Sequence, residues 1–190
     1  MFWTAGTIIR RVRDFTKYIN GSPQRLQNLR KVADVVAADV TAKKLVQDVS
    51  TRWNSTWAVL KRAFLLREVI GAYIYSGSEL RKHALEEHEW ALVHEVIKLL
   101  EPFEEATVLL TSAKHPSIMA AAPAYSMLLE RIQATIRSCE GAVLESSIRA
   151  MMKKLQAYKE KADGQYVYKL ATVLDPRIKL NFFEDSNEDI

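Results

Sequence analysis

Apolar residues recur along almost the whole chain at intervals of three and four, with charged residues between them. Ile8, Ile9, Val12, Phe15 and Ile19 form one such stripe, with Arg10, Arg11, Arg13 and Lys17 on other faces. That spacing predicts an amphipathic helix ending at Asn20-Gly21. Ser22-Pro23 predicts the next start, with serine as cap and proline at the first helical position, where its missing N–H costs nothing. Leu26, Leu29, Val32, Ala33 and Val36 are its expected buried stripe. A short apolar run around Leu45, Val46 and Val49 predicts one extended segment. A long helix is then expected from Trp53, capped by Ser50 or Thr51. Its stripe is Trp57, Leu60, Phe64 and Leu65.

A turn is expected over Tyr73 to Ser78, then a short polar helix from Glu79 to Leu85. Glu89, Trp90, Val93, Val96, Ile97 and Leu100 begin another helix. Pro102 is expected to kink or end it, because its ring clashes with the preceding turn. Phe103, Ala106, Leu109 and Leu110 continue the stripe, and Lys114-His115-Pro116 breaks it. Ile118 to Cys139 reads as helix, starting in earnest near Pro123. Gly141 separates it from Val143 to Lys161, whose core face is Leu144, Ile148, Met151 or Met152, and Leu155. Asp163-Gly164 is a turn, Tyr166 to Leu174 a last helix, and Asp175-Pro176 its end. Phe182-Phe183 lead into an acidic tail. The fold class is mainly α: about eight helices and at most one or two short strands.

Composition supports this reading. With 6 glycines and 5 prolines in 190 residues, breakers are scarce. A chain of this length is one domain, or a large piece of one, and buries roughly 70% of its unfolded surface without disulfides or metal. Cys139 is the single cysteine, so no intramolecular disulfide and no Cys-based zinc site can form. No run of about 18 apolar residues exists to span a membrane. The first residues lack the charged start and apolar core of a signal peptide, so cytosol or nucleus is expected.

Charge is unevenly spread. Residues 1–62 hold 12 Lys/Arg against 4 Asp/Glu, a net of +8, and residues 63–190 hold 15 against 19, a net of −4. The basic half can face phosphate, where each neutralised charge releases counterions. A solvated helix surface explains the same charges. The start of the Trp53 helix adds a second feature: Arg52, Trp53 and Asn54 put a cation, a large aromatic and an amide where exposed backbone N–H groups already favour anions.

Catalytic chemistry is not visible. His83, His88 and His94 are five and six residues apart, not the four that a helical zinc pair needs. There is no phosphate-binding glycine loop and no Gly-x-Ser-x-Gly elbow, and Cys139 lacks a cysteine-enzyme context. Asp48 and Asp175 stand alone at element boundaries, which suits capping better than acid–base work. No cofactor and no metal site is expected.

Four ordered motifs resemble one family, the hAT superfamily of transposases and their domesticated relatives, including the zinc-finger BED domain-containing proteins. Gln47-Asp48-Val49-Ser50-Thr51-Arg52-Trp53-Asn54-Ser55-Thr56 is very close to the family's "QDVSTRWNST". Val12-Arg13 through Ser22-Pro23 resembles its "VRxxxxYFxxSP". Glu89-Trp90 with Leu99-Leu100-Glu101-Pro102-Phe103-Glu104-Glu105-Ala106-Thr107 resembles "EW…LLxPFxEAT". Leu170 to Lys179 resembles "AtaLDPRfK".

The resemblance implies part of a ribonuclease-H-like fold interrupted by a large helical insertion. Residues 1–62 would be a basic segment of the core including the RWNST helix start, 63–181 the helical insertion, and 182–190 a frayed acidic tail. The family's two catalytic Asp and a Cys-x-x-His element are expected before residue 1, and its Glu and dimerisation segment after residue 190. The BED finger is likewise expected outside the chain. The expected function is therefore that of a catalytically incomplete, transposase-derived domain with a DNA-associated role, not an enzyme, since two-metal chemistry needs its carboxylates. Arg52, Trp53, Asn54, Arg10, Arg11, Arg13 and Lys17 are the candidate nucleic-acid contacts. In the family the tryptophan is implicated with bases near the cut, and Trp53 occupies its position. Packing of Trp53 into the fold stays open beside stacking. DNA, a protein partner or a second copy are the partners to test, with no membrane. By resemblance the location is the nucleus, with cytoplasm as the alternative. A helical protein-interaction module and an excerpt of an active transposase are the alternative functions.

Overall fold

A computed structural model describes residues 5–36, 44–46, 53–112, 121–138 and 142–174. The order is α1 (Ala5–Asn20), α2 (Pro23–Val36), α3 (Trp53–Leu65), α4 (Arg67–Tyr75), a 3-10 helix (Ser78–His83), α5 (Glu87–Ser112), α6 (Ala121–Ser138), α7 (Ala142–Asp163) and α8 (Tyr166–Leu174). No strand occurs among the described residues, and the fold is mainly α. The chain forms two compact units, Met1–Leu100 and Glu101–Ile190.

In the first unit, α1 packs against α2, α3 and the 3-10 helix, and α4 packs against α2, α3 and the 3-10 helix. The α1 stripe behaves as its spacing predicts: Ile8, Val12, Phe15 and Ile19 are buried. The turn to α2 favours a glycine. The Gly21 N–H reaches the Lys17 carbonyl at 2.9 Å, and a Cβ there would press on that same oxygen at 3.2 Å. α2 starts at Pro23, and the Ser22 carbonyl accepts the Leu26 N–H at 3.1 Å. Leu29 and Ala33 are its fully buried residues, whereas Val36 is exposed.

Several expectations need correction. Residues 44–46 form no strand, and 47–49 lie outside the described residues. Leu45 is nevertheless buried, and Arg62 Nη1 on α3 donates to the Lys44 carbonyl at 3.0 Å. That short run is thus held by a side chain and not by a sheet ladder. The expected caps Ser50 and Thr51 also lie outside the described residues. The α3 stripe is Val59, Leu60 and Ala63, with Leu65 exposed at 54%. Its path turns because the helix breaks at Leu66, whose N–H is shared between the Arg62 and Ala63 carbonyls. Leu66 itself is 1% exposed, so burial of this residue, not a glycine or proline, accompanies the break.

The turn expected from Tyr73 begins three residues later. Tyr73 and Ile74 are buried inside α4, and Ser76 Oγ closes the end by donating to the Tyr73 carbonyl at 2.6 Å. The short polar helix is a 3-10 turn, Ser78–His83, anchored by buried Leu80. Pro102 does not end α5, which continues to Ser112. Pro102 is buried and Ala106, one turn on, is buried as well. Continued burial of the stripe offsets the hydrogen bond that proline removes.

In the second unit, α6, α7 and α8 pack pairwise. Leu128 and Ile132 on α6 are buried, as are Leu144, Ile148 and Leu155 on α7. Met151 and Met152 are both half-buried. The breaks expected at Lys114-His115-Pro116, Gly141 and Asp175-Pro176, together with Cys139 and the acidic tail, lie outside the described residues.

One polar contact ties the first unit together. Glu89 is 2% exposed, in the first turn of α5. Its Oε2 accepts the Glu86 N–H at 2.9 Å, the backward half of a capping box. Its Oε1 is ion-paired with Arg11 Nη2 of α1, and Arg11 Nη1 donates to the Ala84 carbonyl at 2.9 Å. Removing one member of a buried pair leaves the other charge uncompensated. Glu89→Gln is expected to cost about 3 kcal/mol of stability by urea denaturation. Adding Arg11→Met should recover part of that loss, which a double-mutant cycle would read.

His83 closes the same region, packed against Phe15 (centroids 5.9 Å) and Tyr18 (6.2 Å). Burial pushes its pKa below the usual value, Lys82 and Arg11 add to that, and Asp14 opposes it. The unfolded chain therefore takes up the proton first. Stability should be unaffected by His83 above about pH 6.5 and fall as pH drops from there towards the lower folded-state pKa. His83→Gln should flatten that part of a stability–pH profile.

Candidate nucleic-acid interface

The candidate residues sit on two helices of the first unit. On α1, positions 10, 13 and 17 fall within about 60° of arc, while position 11 lies about 100° round from position 10. Arg10 and Lys17 are exposed and make no hydrogen bond or ion pair among the described residues. Arg13 is half-buried, and its Nη2 donates to Thr56 Oγ1 on α3 at 2.5 Å. That bond brings the basic face of α1 to the first turn of the Trp53 helix. Arg11 is turned to Glu89 and the Ala84 carbonyl; the positive charge that sequence counts there is spent inside the fold. Burial lowers the Arg11 pKa, with Glu86 acting against it.

At the start of α3, the Trp53 backbone opens the helix, and Arg52 lies outside the described residues, as does the Trp53 side chain. Asn54 and Trp57 are three residues apart and share a face. Asn54 Oδ1 and Trp57 Nε1 are both buried with no hydrogen-bond partner among the described residues. A buried acceptor and a buried donor left unmatched on one face cost about 1–3 kcal/mol each. The Lys61 ammonium lies 4.3 Å from the Trp57 ring centroid, adding positive charge there.

Sequence reading missed two participants. Thr56 was part of the motif but had no assigned role, and the structure makes it the link between α1 and α3. Glu89, which the sequence places only at the start of a helix, is the internal counter-ion of Arg11. An acidic residue inside a predicted buried stripe was the available signal, since such groups are seldom buried without a partner.

The three histidines separate. His83 packs on Phe15 and Tyr18, His88 Nδ1 lies 3.3 Å from Glu86 Oε2, and His94 stacks on Phe64 with centroids 4.8 Å apart. Among the described residues, no group of three or more His, Cys, Asp or Glu side chains is placed to hold a metal ion. Among the same residues, no helix is long and apolar enough to cross a membrane.

Comparison with known proteins agrees with this architecture. The family model described as the ZBED1 RNase-like helical domain matches residues 1–99. The "Putative transcriptional regulator tpeD" of Talaromyces stipitatus is 28% identical over 94% of this chain and 19% of its own length. Zinc finger BED domain-containing protein RICESLEEPER 2 of Oryza sativa subsp. japonica is 26% identical over 96% of this chain and 25% of its own. Human zinc finger BED domain-containing protein 4 is 23% identical over 93% of this chain and 14% of its own. The chain thus spans a quarter or less of the length of these relatives. No solved structure gives a significant match. With more than half of its residues matched, the chain belongs to the ZBED1 RNase-like helical domain family, among the hAT/BED-type transposase-derived proteins.

Proposed function

We propose that the chain is a catalytically incomplete, transposase-derived helical domain that associates with DNA in the nucleus. The observation that carries this reading is the Arg13–Thr56 contact, which sets the outward cations of α1 beside the helix start that bears Trp53. Arg10, Arg13 and Lys17 then meet phosphates, Arg52 reaches a neighbouring one, and Trp53 and Asn54 face bases. Arg11 serves only as the tie that holds α1 in place. In this proposal residues 1–62 are the basic segment of a ribonuclease-H-like core, 63–181 the helical insertion and 182–190 an acidic tail. The catalytic Asp, Asp and Glu are supplied by no residue of this chain. Genomic sequence on both sides, read for those carboxylates and for terminal inverted repeats, separates this reading from an excerpt of an active transposase.

A second reading, a protein-interaction module, is favoured by α8. Tyr166, Val167, Leu170 and Leu174 are all more than half exposed on that helix. Scattered apolar residues are ordinary on a surface, but four on nine residues are more than chance exposure needs.

Duplex DNA should be bound and not cleaved in Mg²⁺ or Mn²⁺. Four phosphate contacts give a slope of log K against log salt of about −3.6, and Arg10→Gln should make it shallower by about 0.9. No binding at low salt would favour the interaction module, and cleavage would overturn catalytic incompleteness. Trp53→Ala should weaken single-strand or hairpin binding by about 5- to 150-fold, the equivalent of one lost stacking contact, and leave duplex binding nearly unchanged. Equal loss on every substrate together with a lower melting temperature would assign Trp53 to packing instead.

A further inference from the structure

We propose that an open groove between α1, the start of α2 and the 3-10 helix is a phosphate-binding site for the nucleic-acid backbone, formed by Lys17, Arg25 and Lys82. This rests on the DNA-associated reading above and extends it from Lys17 to Arg25 and Lys82, which no motif marks.

The groove measures about 490 Å³ and is open to solvent. That is the size of a ligand cleft, larger than a bare ion needs. Its charges come from three separate elements: Lys17 from α1, Arg25 from α2 and Lys82 from the 3-10 helix. None of the three has an ion-pair partner among the described residues. Asp14 is the one acidic group in the lining, and Arg11, also there, is neutralised by Glu89. The groove therefore keeps a net positive charge, which nearby cations would oppose unless an anion entered.

The groove is also preset. The Arg25 guanidinium lies 3.8 Å from the centre of the Tyr18 ring, and its Nη1 donates to the Tyr18 carbonyl at 3.1 Å. Arginine held this way loses less freedom on binding and keeps its remaining N–H groups for a phosphate. The same contact decides the ligand class. Arg25 covers the Tyr18 ring and His83 lies tilted against it at 6.2 Å, so the aromatic surface is already occupied. The groove offers charge without a stacking platform and takes a phosphate, not a base.

Position supports a continuous track. From Arg10 to Lys17 the rise along α1 is about 10 Å, a span that neighbouring phosphates of one strand can bridge. A strand lying along Arg10 and Arg13 would next meet Lys17 and enter the groove.

The full chain tests this with Lys82→Gln/Arg25→Gln, Arg10→Gln and the wild type, titrated with duplex DNA over a range of salt. The expected result is a slope about 1.8 shallower for the groove variant, with an unchanged melting temperature. The His83 ring resonance, which sits in the groove wall, should shift on DNA addition in the wild type and move less in the groove variant. If Arg10→Gln weakens binding and the groove variant does not, the groove proposal is overturned and the DNA reading survives. If the wild type binds no DNA at low salt, both fall, even should inorganic phosphate alone move the His83 resonance. A groove variant with a lowered melting temperature is replaced by Lys82→Gln alone, whose side chain is exposed; an unchanged slope there overturns the proposal too.

Discussion

The carboxylate of Glu89 has to be satisfied for the first unit to hold together. It is almost wholly buried, it receives its own helix's leading N–H at Glu86, and it neutralises Arg11 of a helix 78 residues earlier in the chain. A buried ion pair is weak support for a fold when set against well-packed apolar groups, but it is costly to break from one side. Here it also fixes geometry. The guanidinium spans from Glu89 to the Ala84 carbonyl, so α1 is registered against both the end of the 3-10 helix and the start of α5. The apolar stripe of α1 could slide or rotate by small amounts without losing much buried area. A two-point polar contact cannot.

That registration sorts the cations of α1. Four basic side chains alternate with the stripe, and as a helical face they look alike. Arg11 is turned inward to Glu89, Arg13 crosses to Thr56, and Arg10 and Lys17 stay on the surface. Lys17 then shares a groove with Arg25 and Lys82, residues 8 and 65 positions further along the sequence. A charge count assigns the basic half a net of +8 without distinguishing charges spent internally from those available to a partner.

Much of the architecture was legible. The stripes of α1 and α7, the Ser22-Pro23 start of α2 and the extent of α8 follow from spacing and from breakers acting within a few residues. The failures share a cause. Leu66 interrupts α3 and α4 with no local breaker, Pro102 sits inside α5 without ending it, and Tyr73 is buried in helix where polar neighbours suggested a turn. In each, burial outweighs a local preference worth about a kilocalorie or, for proline, about three.

The sequence by itself determined the helical class, the order of the elements and the family, because periodicity and motif order are properties of neighbouring residues. It also marked Arg13, Trp53 and Asn54 as belonging to two separate stretches. Only the tertiary structure decided that Thr56 joins those stretches, that Arg11 answers Glu89, and that Lys17, Arg25 and Lys82 line one groove. The reason is physical: the partner of a charge is set by which helices pack together, and no periodicity within one helix carries that information.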